Sequence, residues 1–590
     1  MKNMVYIAIL LFLTLFIPNI YANDECCTLD EVVVVASKEP MWQSTLGRDV
    51  GILDEYLLGQ YKPKRLVEAI TAEPGVSVKQ IVGLSSVRIR GARSFDTKYL
   101  LDGVPLEDPT DVKGSFSPFV DDLVLFGTSE IEILKGSGST LYGSEAIGGA
   151  VNVEPLLNMP FSYTQEIGDE VKELLETPYG SAFRLDGERL DKTGFYFAHQ
   201  FEYAKPWVMY QEGTSPINDS PFITGGELHF DEQDENNRSE ESVLNAGAKF
   251  ELGEWGNWVT SWGNTKRRFV FLPDADGTDF YSDGTYTGRT LYSDLSFNVY
   301  GFVLGHSYRR SFYELEISPD SDEIDHYQND LYIEKSLTFD KLNLLLGVRE
   351  NLHENTKHRT VYDVSGTYVL THDTKIRGHF GTGYRVPSLF ELNGAFLSSF
   401  GRFEVGNPDL SPERSYSVDA GVERRLWKNT GIGVTLFGSK ISNQIDFVGS
   451  TYENVEGDFR TDGYEAFIEH FFLGSAVLRL SYTRTNGKSL IDIPKHEGGI
   501  ALRIQRKKWN ASLRGTFKDE HVITAFNIDT FTADKIKEEG HVVFDATAGY
   551  FVRPNVEVFA RIENLFSEDY LEGGYRQPGT KVYGGVKITV

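Results

Sequence analysis

Residues Trp509–Lys518 read WNASLRGTFK, with apolar side chains at alternate positions and polar or charged side chains between them. This period of two is typical of a β-strand whose two faces meet different surroundings. The same alternation recurs at Asn555–Phe566 (NVEVFARIENLF) and in the last five residues, Val586–Val590. Arg, Lys and Glu occupy the polar face within these strands. A water-filled or plugged barrel accommodates such charges, whereas a soluble β-sandwich or propeller, the alternative, seldom does.

The composition points the same way. The 590-residue chain has 39 Phe, 30 Tyr and 57 Gly but only 5 Met, which favours strands and turns over helices. Its 58 Lys and Arg and 86 Asp and Glu give a net charge of −28, so the chain repels phosphate backbones and nucleic acid is disfavoured as a partner. Cys26 and Cys27 are adjacent and match no zinc-site spacing. A disulfide framework and a structural zinc domain are therefore excluded.

The amino terminus predicts export. Lys2 precedes an apolar run, Met4–Ile17, and residues 1–22 have the layout of a secretory signal peptide ending at Ala22. The run is too short for a spanning helix, which needs about 18 or more apolar residues, and no second run of that length follows. A membrane-embedded β-barrel remains compatible with this sequence, because its apolar band is hidden in alternate residues.

The connections between the alternating segments differ in length. Some are tight and basic, such as Arg506–Lys508, and others are long and acidic, such as Asp231–Glu240 and Asp519–Glu539. Short turns on one rim and long loops on the other are typical of an outer-membrane barrel. Roughly 430 residues at roughly 20 per strand and connection predict about 22 strands. We therefore predict an all-β transmembrane barrel of about 22 antiparallel strands at residues 156–590, with an α+β plug domain, residues 39–155, inside its lumen.

Several motifs occur in order along the chain. They are DEVVVVA at Asp30–Ala36, AEPGVSV at Ala72–Val78, VRIRG at Val87–Gly91, LLDGVPL at Leu100–Leu106, EIEILKGSGSTLYGSEAIGGAVNV at Glu130–Val153, GYRVPSLFEL at Gly383–Leu392, GNPDLSPERS at Gly406–Ser415 and ENLFSEDY at Glu563–Tyr570. In order and spacing they resemble the TonB-dependent outer-membrane receptor and transporter family. The stretch LSSVRIRG, followed by YLLDGVPLEDP, is also similar to the cobalamin transporters, which makes that subfamily the favoured one.

The resemblance assigns a TonB box within the amino-terminal segment, residues 23–38. Its residues are Asp30, Glu31, Val32, Val33, Val34, Val35 and Ala36. Four consecutive valines make a poor helix and a good strand, which could add to the edge of a partner's sheet or form the first strand of the plug. The implied partner is TonB with the ExbB–ExbD energy-transducing complex, and the implied location is the outer membrane of a Gram-negative-type cell, in contact with its lipid.

The resemblance implies active transport rather than an enzymatic activity, and the chain has no G-x-S-x-G motif. A corrinoid such as cobalamin is the first expected substrate and a ferric siderophore is the alternative. Haem is disfavoured because residues 28–155 and 384–410 contain no histidine, the ligand that haem transporters of this family usually supply there. A passive porin or adhesin barrel is the alternative from another class, although it explains neither the plug motifs nor the TonB box.

The resemblance also places candidate substrate residues on two plug loops. They are Val82, Leu84, Ser85, Asp108, Val112 and Ser115. No cofactor is required, but calcium is a candidate because it prefers oxygen ligands and cobalamin transporters order their outer loops with it. The candidate ligands are Asp231, Asp234, Asp274, Asp276 and Asp279. The alternative for these aspartates is a solvated acidic surface that repels anions.

Overall fold

A computed structural model describes residues 32–590, apart from residues 34, 39, 72, 80–84, 118–119, 121–122, 188–189, 217–221, 225–226, 230–237, 271–283, 318–319, 355–356, 399–400, 428, 473–474, 488–489 and 528–531. The described chain consists of an amino-terminal plug and a barrel. No helix in the described ranges is long and apolar enough to span a membrane.

The plug combines short strands with three short α-helices. Its elements are β1 (Val32–Val33), β2 (Met41–Trp42), β3 (Asp49–Asp54), α1 (Glu55–Tyr61), α2 (Leu66–Ile70), β4 (Val76–Lys79), β5 (Ser86–Ile89), β6 (Thr97–Leu101), β7 (Val104–Leu106), β8 (Thr128–Lys135), α3 (Ser139–Tyr142) and β9 (Gly149–Pro155). Five strands form a mixed sheet in the order β3–β8–β9–β6–β7, in which β6 and β9 are parallel. The Asp54 carboxylate caps α1 by accepting from the Leu57 amide at 2.7 Å.

Twenty-two of the described strands close into the barrel, each antiparallel to its neighbours. They are β10 (Ser162–Ile167), β11 (Glu170–Thr177), β12 (Gly180–Gly187), β13 (Asp191–Ala198), β14 (Ala204–Pro216), β17 (Arg238–Glu251), β18 (Gly256–Val270), β19 (Gly284–Val299), β20 (Phe302–Ile317), β21 (Asp320–Phe339), β22 (Leu342–His353), β23 (Arg359–Thr371), β24 (Thr374–Arg385), β27 (Glu413–Leu426), β28 (Thr430–Ser442), β31 (Asp458–Phe472), β32 (Ala476–Gly487), β33 (His496–Gln505), β34 (Trp509–Lys518), β37 (His541–Arg553), β38 (Val556–Glu563) and β41 (Lys581–Thr589). Pairing of β10 with β41 joins the first strand to the last. The prediction of about 22 strands around a plug is confirmed.

The two faces of each barrel strand meet different surroundings. On β34, Trp509 and Phe517 are exposed on the outside, whereas Asn510 and Lys518 are buried on the lumen side. Outward apolar side chains recur around the barrel, which provides the lipid-facing surface expected of a membrane barrel. The alternation in the sequence therefore reflects lipid on one side and a polar lumen on the other.

The two rims differ as the sequence predicts. One rim has tight turns, such as residues 300–301 and 340–341, and the other has long connections, such as residues 386–412. The long connections carry their own elements, including a hairpin of β35 (His521–Asn527) and β36 (Thr532–Glu538) within the stretch Asp519–Glu539 that the sequence indicates only as an acidic loop. These elements are β15 (Phe222–Thr224), β16 (Glu227–His229), α4 (Leu389–Asn393), β25 (Ala395–Ser398), β26 (Gly401–Glu404), β29 (Ile445–Val448), β30 (Thr451–Asn454), β35 (His521–Asn527), β36 (Thr532–Glu538), β39 (Leu571–Glu572) and β40 (Tyr575–Arg576). In outer-membrane barrels the short turns lie at the periplasmic rim and the long loops at the outer rim, and we refer to the two rims of this barrel accordingly.

The plug lies against the barrel wall on several sides of the lumen. Asp102 of the plug pairs with Lys205 at 2.7 Å and Lys249 at 2.6 Å, on β14 and β17. On another side, Gly47 approaches the β23 backbone so closely that a Cβ atom there would overlap Gly366. The plug is thus held by polar contacts and by close backbone packing.

Candidate functional site

The described residues of the predicted TonB box, Val32, Val33, Val35 and Ala36, lie inside the protein at the short-turn end of the lumen. β1 pairs antiparallel with β2, and Val33 is opposite Met41. The side chains of Val33, Val35 and Ala36 are completely buried. Asp30, Glu31 and Val34 fall outside the described residues. In this state the described part of the segment is not accessible to a partner.

Polar contacts hold this segment in place. The Val35 amide donates to Glu132 at 3.0 Å, and the Tyr142 hydroxyl donates to the Val35 carbonyl at 3.0 Å. Lys38 follows the segment and pairs through its ammonium with Asp294 at 3.1 Å. Its amide donates to Glu334 at 2.9 Å. Because Asp294 and Glu334 lie near the periplasmic ends of β19 and β21, the wall itself retains the segment.

The Lys38→Met variant should release the segment more readily. Loss of a partly buried, charge-assisted hydrogen bond costs about 1 to 2 kcal/mol, or roughly five- to thirtyfold in the release equilibrium. We therefore expect tighter capture of the periplasmic domain of TonB in the absence of substrate, measured with purified proteins. Lys38→Arg is the matched control, since it keeps the charge. Unchanged capture by the Met variant would show that this ion pair does not retain the segment.

A network of buried charges joins the plug to the wall in the middle of the lumen. Arg90 of the plug donates to Glu465 on β31 at 2.7 Å and pairs with Asp49 at 2.6 Å. Asp49 also pairs with Arg377 on β24 at 2.7 Å. Lys135, at the end of β8, lies 3.5 Å from Glu465. Arg90, Lys135, Arg377 and Glu465 are buried and Asp49 is partly buried, so each charge depends on its partners for compensation.

A second cluster joins the plug to the barrel closer to the outer rim. Arg385 pairs with Glu391 of α4 at 2.8 Å and with Glu413 on β27 at 3.1 Å. All three side chains are completely buried. Arg93 of the plug also pairs with Glu413, while Ser388 caps α4. The plug, a barrel strand and an outer-loop helix therefore share one ionic cluster.

The plug loop Glu107–Phe116 lies at the outer end of the lumen. Asp108 is completely buried and accepts hydrogen bonds from the Thr110 amide at 2.9 Å and the Thr265 hydroxyl at 3.3 Å. Ser115 is buried, and the partly buried Val112 packs with the α4 side chains. The structure brings these predicted substrate residues together, but they lie beneath the outer surface.

The second predicted plug loop is only partly described. Ser85 is buried, and Val82 and Leu84 fall outside the described residues. Burial of the described loop residues means that substrate contact by these side chains requires the loops to rearrange. Their role in substrate binding stays a prediction.

Burial and the nearby Asp108 raise the pKa of Asp111 to about 7. This folded-state pKa is above the unfolded one, so the folded protein binds the Asp111 proton more tightly than the unfolded chain does. The resulting contribution to the free energy of unfolding is fully present below about pH 4 and is lost as pH rises through 7. We expect the thermal unfolding midpoint to fall as pH rises from about 4 to about 7 and to level off above that, and Asp111→Asn to reduce this dependence. Circular dichroism melts at several pH values would measure it. An equal pH dependence in the two proteins would contradict the assignment.

The candidate calcium ligands cannot be placed. Asp231, Asp234, Asp274, Asp276 and Asp279 all fall outside the described residues. Within the described ranges, no group of three or more His, Cys, Asp or Glu side chains is arranged to hold a metal ion. Calcium binding therefore stays a prediction.

Sequence reasoning did not find the residues that hold the amino-terminal segment. Glu132 and Tyr142 lie within the quoted plug motif, but Asp294 and Glu334 lie in barrel strands with no motif of their own. Arg385 lies in the motif GYRVPSLFEL. A charged residue with apolar neighbours is the one feature of that motif which indicates that the side chain is buried and needs a partner. The partners become recognisable only once the barrel closes.

Comparison with known proteins agrees with this architecture. Residues 43–150 match the model described as the TonB-dependent receptor plug domain. Residues 177–565 match the model of the TonB-dependent receptor-like β-barrel. The second match alone covers well over half of the chain.

Individual relatives are distant but match over nearly the full length. The chain is 22% identical to "Vitamin B12 transporter BtuB" of Vibrio cholerae over 94% of each chain, and also 22% identical to that of Photobacterium profundum, with the same coverage. Among solved structures, the ferric enterobactin receptor PfeA of Pseudomonas aeruginosa matches with a TM-score of 0.71 at 15% identity, covering 92% of this chain and 98% of that one. The siderophore receptor PirA of Acinetobacter baumannii matches with a TM-score of 0.73 at 13% identity and the same coverage. The structural likenesses show the fold.

The barrel, the plug and the two family matches lead to one conclusion. The protein is located in the outer membrane, because the family consists of transporters and receptors and because the barrel has 22 strands and a lipid-facing surface. The chain belongs to the TonB-dependent receptor family.

Proposed function

We propose that the protein imports a corrinoid such as cobalamin across the outer membrane, with energy delivered by TonB. The observation that supports TonB coupling is the position of Val32–Val33, a short strand at the periplasmic end of a plugged lumen. An extended valine segment offers main-chain donors and acceptors to a partner's sheet once it is released. A passive porin or adhesin needs neither this segment nor a plug.

Coupling between the two ends of the lumen is proposed to run through β8. This strand carries Glu132, which holds the Val35 amide, and Lys135, which belongs to the central charge network. Substrate that rearranges the outer plug loops would bias this network between two arrangements. A shift of β8 would then weaken the contact between Glu132 and Val35 and favour release of the segment.

The corrinoid is proposed from the relatives matched over 94% of their length, which are named as vitamin B12 transporters. The structural neighbours are siderophore receptors, which makes a ferric siderophore the second candidate. Calcium in the acidic outer loops is proposed as an aid to corrinoid binding, because carboxylate oxygens suit that ion.

One experiment separates these possibilities. The protein is purified from cells grown in complex medium, its retained ligand is identified by mass spectrometry, and cobalamin and a siderophore panel are then titrated with and without calcium. Submicromolar cobalamin binding that calcium strengthens would support the corrinoid. Tight binding of an iron chelate alone would overturn it but leave active transport intact. Failure of the periplasmic domain of TonB to bind the substrate-loaded protein would overturn TonB coupling.

A further inference from the structure

The plug contacts the barrel wall in different ways on different sides of the lumen. On the side of β12, β13 and β14 the contact is apolar, and we call it the apolar seam. Phe126 of the plug stacks on Phe183 with ring centroids 5.6 Å apart and on Tyr196 at 6.2 Å. Tyr196 in turn stacks on Trp207 at 6.4 Å. These four side chains belong to the same buried cluster as the hydrophobic core of the plug, so the apolar seam continues that core into the wall.

On the side of β34, β37 and β38 the contact is polar and contains a cavity of about 140 Å³. We call this contact the polar seam. It is lined by lumen-facing residues at alternate positions of β34, namely Ser512, Arg514, Thr516 and Lys518. Asp545 and Glu563 on the neighbouring strands also line the cavity, and their side chains are 28% and 29% exposed. Both belong to the lumen face of the wall, so solvent reaches between the plug and the barrel on this side.

The lining of this cavity suits water. A cavity of this volume has room for several water molecules, and its side chains offer both donors and acceptors. The His541 Nδ1 atom lines the cavity, is buried and, among the described side chains, has no hydrogen-bond partner. Buried polar atoms are normally satisfied, and water is the partner that such a cavity can supply. The polar seam therefore suits a hydrated contact, whereas the apolar seam excludes water.

The carboxy-terminal end of α1 closes the cavity towards the short-turn rim. Tyr61, the last residue of α1, lines the cavity. The Ser512 hydroxyl donates to the Gln60 carbonyl at 3.2 Å, and Lys62, which follows the helix, pairs with Glu557 at 2.9 Å. Glu557 is the second residue of β38 and lies beside the short turn that precedes this strand. Polar contacts of this kind can be exchanged for contacts with water at little net cost, so α1 forms a floor that can be displaced.

Charges at the polar seam are compensated within the barrel itself. Arg514 pairs with Asp545 of β37 at 3.0 Å, and Lys518 pairs with Glu572 of the outer-loop strand β39 at 2.7 Å. In the central charge network, by contrast, the wall carboxylate Glu465 pairs with cations of the plug. Withdrawal of the plug would leave Glu465 without those cations, whereas both ion pairs of the polar seam would stay intact.

The two seams therefore differ in the cost of separation. Separation of the apolar seam exposes aromatic surface to water, which is unfavourable, whereas separation of the polar seam exchanges polar contacts for contacts with water. We propose that the cargo route opens along the polar seam by displacement of α1, while the plug stays attached to the wall along the apolar seam. Because the wall charges there are paired, the route suits polar cargo with little net charge. This inference rests on the proposed function and adds the side of the lumen along which cargo passes.

The test uses the full-length protein in cells, in a background whose Cys26 and Cys27 are replaced by serine. Ser512→Cys places a thiol on the polar seam, and Ser181→Cys places one beside the apolar seam as the matched control. Both serines are buried on the lumen face near the short-turn ends of their strands, and Ser181 is directly opposite Tyr196. Labelling by fluorescein maleimide is measured with the proton gradient present and after its collapse, in complex medium that supplies the cargo.

We expect the gradient to raise the labelling rate of Ser512→Cys by about tenfold or more, because a closed cavity of about 140 Å³ does not admit the dye. The labelling rate of Ser181→Cys should stay unchanged. An equal increase at both thiols, or an increase at Ser181→Cys alone, would overturn the inference and leave TonB coupling intact. No increase at either thiol would overturn both the inference and TonB coupling.

A second variant tests the floor. Lys62→Gln, combined with Ser512→Cys, removes the ion pair with Glu557 and should raise labelling without the gradient by about threefold or more. Lys205→Gln is the matched control, since it removes a similarly short ion pair on the β14 side and should leave that labelling unchanged. Heat-modifiable migration in gels verifies that each variant is folded. Equal labelling in the folded proteins with and without Lys62→Gln would overturn the role of α1 as the floor.

Discussion

The Val33→Pro variant is expected to lose energised uptake completely while it keeps substrate binding at the cell surface. Val33 is the central described residue of the valine segment and pairs with Met41 in β1–β2. Proline has no amide proton and fixes φ, so it removes a main-chain donor from any strand that the segment forms with TonB. Uptake of labelled substrate by energised cells would be compared with binding to the same cells after the proton gradient has been collapsed.

A matched variant separates main-chain from side-chain effects. Val33→Ile keeps the amide proton and the β-branched shape, so it should transport at nearly the wild-type rate. Normal uptake by the proline variant would show that this segment is not the point of energy coupling. Parallel loss of surface binding would instead indicate a disturbed plug.

The Arg385→Met variant is expected to reduce the free energy of unfolding by about 3 to 5 kcal/mol, because it leaves Glu391 and Glu413 buried without their shared cation. Arg93 still pairs with Glu413, and Lys113 still pairs with Glu391 at 3.0 Å, so the loss comes from removing the one cation that both carboxylates share. Urea unfolding of the protein in detergent micelles, followed by tryptophan fluorescence, would measure the difference. A large loss is expected here because all three groups are excluded from water.

Arg310→Met is the control for this substitution. The ion pair of Arg310 with Asp325 is exposed, and exposed pairs contribute only about 0 to 1 kcal/mol. Similar losses in the two variants would show that burial is not the reason for the stabilisation. A small loss in Arg385→Met would show that the cluster relaxes around the missing charge.

The barrel was predictable because two solvents determine the sequence of each strand. In Trp509–Lys518, lipid favours apolar side chains on the outer face and the lumen favours polar side chains on the inner face, so the two kinds alternate along the ten residues. The hairpin β35–β36 was not predicted, because its stretch is acidic and, among the side chains of the hairpin that the structure describes, only Ile523 and Ala525 are buried apolar ones. Two apolar residues in an acidic stretch do not distinguish a hairpin from a solvated loop.

Contacts between plug and wall could not be predicted from the sequence. Lys38 and Asp294 are separated by 256 positions, and Arg48 and Asp363 by 315. Their meeting depends on closure of the barrel and on the orientation of the plug within it, which no local pattern encodes. The charged character of the plug strands was visible, but the identity of each partner was not.

The distribution of charge between the plug and the barrel wall affects which molecules can pass through the lumen. On the side formed by β23 to β31, the wall contributes Asp363, Asp419 and Glu465, and the plug contributes Arg48 and Arg90. When the plug shifts, it takes its cations with it and leaves these wall carboxylates exposed to the opened route. Such a surface attracts cations and repels polyanions. Cargo that passes along this side would then meet a wall with more carboxylates than cations, because among the described side chains of the wall only Arg377 remains beside them, which favours neutral or positively charged groups. The side formed by β14 and β17 would instead expose Lys205 and Lys249, which plug Asp102 neutralises in this state.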